Sequence, residues 1–176
     1  MLQLNSIANV GVHRTCTPLY EKYEATPYNT FLDPSDTTNI YSGMVMYRTG
    51  PDTVANAGTA ASTAGAKPFG LSVLDRNPNI DDVTQVGVNA WSVWLGGSNA
   101  FFTITAPAFD TTVAYNVPTN GTRTLLYTAS GTGQLTSSSG TSATVGALNA
   151  IPVAELIDVI SPTQIVVRLV PFGATA

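Results

Sequence analysis

From residue 39 onward, polar and apolar side chains alternate in short runs, and most runs end near Gly, Pro, Asn or Asp. Residues 40–48 and 69–74 are β-favouring. Residues 85–95 begin with clean alternation and become apolar on both sides around Trp91 and Trp94. Phe102, Ile104 and Ala106 alternate with Thr103 and Thr105; Leu125, Tyr127 and Ala129 lie opposite Leu126 and Thr128. Ile165, Val167 and Leu169 share one side, with Gln164 and Arg168 on the other. A period of two bounded by turn residues predicts strands. Asn120-Gly121 suits a tight turn that needs positive φ. Ser161-Pro162-Thr163 separates the runs 151–160 and 164–170, as in a hairpin. Residues 154–158 also fit a short helix, but Pro152 and the β-branched run that follows oppose a long one.

The first 38 residues differ. Pro18, Pro27 and Pro34 each disfavour helix in the residue before them, and neither helical nor strand periodicity is sustained. We expect an extended arm over residues 1–38, followed by a β domain over residues 39–176. The arm carries Tyr20, Tyr23, Tyr28 and Phe31, enough aromatic area to dock on its own body or on a neighbour. Residues 49–67 and 130–146 are nearly all small or polar and are expected to be surface loops.

At 176 residues the chain is long enough for one domain with a core that needs no disulfide or metal. Charge changes the picture more than length does. Charged residues make up 10% of the chain, and the 72 residues from 83 to 154 hold only Asp110 and Arg123. Average usage would place about 18 there. A Thr-rich β domain accounts for part of this; a surface covered in an assembly accounts for it as well, because interface cores are depleted of charge. The seven Lys and Arg are scattered and the net charge is −4. Nucleic-acid binding, which draws on clustered cations, is therefore not expected. No apolar run approaches the about 20 residues that span a bilayer, so no membrane partner is expected. The start of the chain lacks a basic segment before an apolar one, so no Sec-type signal is expected.

The catalytic inventory is thin. His13 is the only histidine and Cys16 the only cysteine. Their proximity permits an activated thiolate, and an incidental or buried cysteine explains the pair equally well. Asp75, Asn77, Asn79 and Asp81 have the alternate oxygen spacing of a calcium loop, but Ile80 replaces the glycine, Pro78 intrudes and Val86 stands at the twelfth position. An Asn/Pro/Asp turn explains the same residues. Trp91 and Trp94 are candidate exposed aromatics for stacking on sugars, although their opposite strand parity places them on different faces. No enzyme signature and no cofactor site emerges.

The order of segments is informative. A β run leads into Gly43-Met44-Val45, and a small-residue stretch ends in Lys67-Pro68-Phe69-Gly70-Leu71-Ser72-Val73-Leu74. Val86-Gly87-Val88, Trp91-Ser92-Val93-Trp94 and Ala106-Pro107-Ala108-Phe109 follow. The chain closes on Val145-Gly146-Ala147-Leu148, Ile151-Pro152-Val153-Ala154-Glu155-Leu156 and Ile165-Val166-Val167-Arg168-Leu169. Over residues 39–170 this resembles the head-decoration (capsid cement) proteins of tailed bacteriophages. The resemblance implies a mainly β fold, a compact antiparallel β-sandwich or barrel-like (β-tulip-like) domain with an extended N-terminal arm. It also implies a non-enzymatic virion protein, made in the host cytoplasm, that binds the outer surface of the major capsid protein lattice as a homotrimer and stabilises the shell by bridging capsomers. Tyr20, Tyr23, Tyr28 and Phe31 would then meet the capsid or a neighbour. The alternative is a carbohydrate-binding β-sandwich module using Trp91, Trp94 or Tyr127.

Overall fold

The computed structural model describes residues 16–18, 27–60, 63, 65–76, 90–95, 100–117, 119, 121–138 and 147–170. Their eleven strands are β1 (Cys16–Pro18), β2 (Pro27–Leu32), β3 (Val45–Arg48), β4 (Thr53–Asn56), β5 (Pro68–Ser72), β6 (Ala90–Leu95), β7 (Phe101–Thr105), β8 (Thr124–Thr128), β9 (Leu135–Thr136), β10 (Ala154–Ser161) and β11 (Gln164–Leu169). Short 3₁₀ turns occupy Ala57–Ala60 and Leu148–Ala150. The fold is mainly β, as the alternation predicts.

The strands form two bodies. One is a six-stranded sheet in the order β1-β7-β11-β10-β8-β9, and the other is a closed barrel, β2-β4-β3-β5-β6. The pairings are antiparallel with one exception, the parallel pair β2–β4. A ring of five strands cannot alternate direction throughout, so one parallel pair is unavoidable once the barrel closes. Closure also removes free edges from this half of the molecule.

Strand alternation decides which side chain enters which core. Leu32, Met46, Val54, Trp91 and Val93 come from barrel strands and, with Ile40, form one buried cluster. Their neighbours Val45, Leu71 and Trp94 point the other way. There they pack with Phe102 and Ile104 of β7, Leu126 of β8, Leu156 of β10 and Ile165, Val167 and Leu169 of β11. The outer wall of the barrel thus packs on one face of the sheet. Trp94 meets Phe102 at 5.4 Å between ring centroids, an aromatic contact within the attractive range.

Two expectations change at this level. Residues 49–67 are not simply a surface loop. Thr53–Asn56 is a barrel strand, and Val54, Ala57 and Ala60 are buried. Small side chains serve close backbone approach here. A Cβ on Gly58 would lie 2.3 Å from the backbone nitrogen of Gly133. Asn56 ties the junction, with its Nδ2 donating to the Thr132 carbonyl at 3.0 Å and its Oδ1 accepting the Gly58 N–H at 2.8 Å. Part of the expected arm is also woven into the body. β1 pairs with β7 at the edge of the sheet, and β2 pairs with both β4 and β6 to close the barrel. The pairing residues are short and their neighbours proline-rich, so no long alternating run marks them in the sequence.

Candidate interaction surface

β2 places its side chains by parity. Thr30 and Leu32 turn inward and are buried, while Asn29 and Phe31 turn outward. Phe31 is 53% exposed, unusual for a phenylalanine in a regular strand. It forms one wall of a groove of about 460 Å³ with Asn29, Leu74, Ala90, Trp91 and Ser92. None of these residues is charged. Ser92 Oγ donates to Asn29 Oδ1 at 3.0 Å, linking β2 to β6 along the groove floor.

Tyr28 has the parity of Thr30 and Leu32, so it lies on the face of β2 opposite Phe31, although it is itself exposed. It meets Phe69 edge-on, with centroids 5.6 Å apart and ring planes at 87°. The Arg48 guanidinium lies 4.7 Å from the Phe69 centroid, a cation–π stack. Tyr28 and Phe31, three residues apart, therefore do not form one patch. Tyr28 remains 37% exposed while docking in cis. Tyr20 and Tyr23 lie outside the described residues.

The tryptophans correct an expectation. Trp91 is 5% and Trp94 8% exposed, so neither offers a ring face to a sugar. Their opposite parity sends them into the two separate cores. Trp91 Nε1 donates to Ser72 Oγ at 3.1 Å, which settles its polar edge within the barrel. The carbohydrate-binding alternative thereby loses its stacking platform, and Tyr127 on β8 is itself half-buried.

Cys16 is 1% exposed. Burial, reinforced by the nearby Asp75 charge, pushes its thiol far above the ordinary range. A nucleophilic cysteine requires the opposite shift, so this one is a core residue. Asp75 Oδ1 accepts the Ser42 N–H beside the Ile40–Arg76 bridge, so its carboxylate fastens two loops together. Asn77, Asn79 and Asp81 lie outside the described residues. Among the described residues no cluster of His, Cys, Asp or Glu is suited to hold a metal.

The sheet carries one ionic cluster that sequence spacing does not disclose. Glu155 of β10 accepts bonds from Arg123 Nε at 3.1 Å and Nη2 at 2.9 Å, and from Arg168 Nη2. Arg168 is its direct cross-strand partner, and Arg123 precedes β8 on the other side. The hydrogen bond from Arg123, aided by Arg168, holds the Glu155 carboxyl below its usual range against a desolvation cost. With an exposed guanidinium on one side and a half-buried one on the other, this cluster braces the sheet. It offers no open acid or base.

The sequence profile described as "Phage cement protein" matches residues 2–176. It thus includes residues 2–38, which lie beyond the resemblance drawn from strand order alone. No curated protein matches the chain.

Proposed function

We propose that this chain, which belongs to the phage cement protein family, binds the exterior of the assembled capsid and stabilises it by bridging neighbouring capsomers. Membership of the family gives it a structural, capsid-binding role as a virion component. The bridging, and the surface that does it, are our inference. The observation that carries it is Phe31, an exposed aromatic on a barrel strand beside an uncharged groove. Aromatic anchors surrounded by uncharged, desolvatable groups are what concentrate binding energy at protein interfaces.

Stabilisation then needs no chemistry. A ligand that binds the assembled shell and not the free subunits shifts the equilibrium toward the shell by mass action. A homotrimer at three-fold positions, as the resemblance implies, would present three Phe31 grooves and so raise the effective concentration of each. Tyr20, Tyr23 and Tyr28 are assigned to the same capsid-facing or neighbour-facing role as part of this proposal.

Point substitution is the suitable test, because removing the first 35 residues would also remove β1 and β2 and open the barrel. Phe31→Ser changes an exposed side chain and leaves the β2 ladder intact. Its binding to empty expanded shells, measured by co-sedimentation, is expected to fall about 30-fold, the scale of an interface hot spot. Unchanged binding with a wild-type melting curve would remove Phe31 from the interface.

A further inference from the structure

The six-stranded sheet has an incomplete seam. β8 pairs with β10 only through Thr124, Leu125 and Leu126, opposite Leu156, Glu155 and Ala154. β10 continues for five more residues to Ser161, paired on its other side with β11. Among the described residues, no strand lies against the β8-facing edge beyond Leu156. Ile160, on this stretch, is 55% exposed.

A groove of about 420 Å³ opens beside the same stretch, lined by residues that include Phe109, Val113, Tyr115, Val159, Pro162 and Ile165. No residue lining it is charged. Ile165 belongs to the main core and Val159 packs against it, so the groove is an opening at the end of that core. Open backbone next to an apolar groove is the arrangement that receives an added strand. Main-chain hydrogen bonds supply affinity, and alternate side chains enter the groove.

We infer that the β10 edge over residues 157–160 accepts an extended segment of a shell subunit as an added strand, with its apolar side chains in the Phe109–Ile165 groove. This rests on the capsid-binding role proposed above. Charge argues against a second copy of this chain as the occupant. Self-pairing about the middle of the edge would bring two exposed Asp158 carboxylates onto neighbouring positions, and like charges across a ladder are destabilising. The incoming strand is therefore apolar at alternate positions and neutral or cationic opposite Asp158. Asp158 Oδ1 meanwhile accepts the Val159 N–H at 2.8 Å, capping one donor of the edge until a partner arrives. With Phe31 on the barrel and this edge on the sheet, the molecule has two separate contacts, which bridging requires.

The test mixes the full chain with empty expanded shells and compares hydrogen–deuterium exchange in the bound and free pools. Ile160→Lys, an exposed substitution expected to leave the melting curve unchanged, is measured beside wild type and Phe31→Ser. Exchange over residues 157–160 is expected to slow at least about 10-fold on binding, and Ile160→Lys to bind at least about 10-fold more weakly. Wild-type binding with unchanged exchange at 157–160 overturns the added strand and leaves capsid binding standing. Failure of the wild type to bind shells overturns capsid binding and, with it, the source of the strand. Concentration-dependent self-association abolished by Ile160→Lys, without protection on shells, assigns the edge to a second copy and overturns the inference.

Discussion

Gly43 shows how much one residue can fix. Its φ is +99°, and a Cβ there would sit 3.0 Å from the Cβ of Cys16 and 3.3 Å from that of Ala108. Backbone conformation and crowding both oppose a side chain. Gly43→Ala should lower stability by about 2–4 kcal/mol, read from the denaturant midpoint. Cys16, pressed against the same spot, should resist maleimide in the native protein and react fully once unfolded; rapid native labelling would contradict its burial. Such residues were only partly legible in the sequence. The opposed parity of Trp91 and Trp94 follows from a period of two and holds in the structure. Their joint burial does not follow, because it depends on two cores meeting across one strand. The buried tie at Asn56 is also invisible in sequence, since its partners at Asn39 and Thr132 come from distant loops.

Elements make a different balance of forces visible. The hairpin β10–β11 was the most legible, with two apolar runs around Ser161-Pro162-Thr163 and Ser161 paired with Gln164 at its closed end. β4 was the least legible, because Val54 is the sole bulky residue in a stretch of Gly, Ala, Thr and Asn. Across β8, β10 and β11 the Glu155 cluster predicts a pH response. The folded carboxyl titrates below its unfolded value of about 4.3, so its stabilisation is complete above that value and is lost as pH falls through the folded value. The melting temperature of wild type should therefore fall more steeply below about pH 4.3 than that of Glu155→Gln. At neutral pH the variant should be less stable by about 1–2 kcal/mol, because part-buried charged hydrogen bonds from Arg123 and Arg168 are weakened. Parallel acid limbs for the two proteins would show that the cluster contributes nothing.

At the scale of the whole molecule, the scarcity of charge becomes a functional property. The grooves at Phe31 and beside β10 contain no charged lining residue, so ionic screening has little to act on. Binding to shells should change less than about 3-fold between 0.05 and 0.5 M salt, since screening acts on exposed charges. A steep loss with salt would instead point to the scattered Lys and Arg. The low charge of residues 83–154 fits a surface covered in an assembly and fits a Thr-rich β domain as well. Composition does not place such a surface, because the barrel and the sheet each bury one face and leave another, and the choice is made by tertiary packing.

The most direct measurement is cryo-microscopy of particles from the phage that encodes this chain, with copy number checked by quantitative mass spectrometry. Regular density for the chain on the capsid exterior, at junctions between capsomers, is expected, with Phe31 against one shell subunit and the β10 edge against another. Its absence from the shell exterior, or a few copies confined to the tail, would contradict capsid bridging.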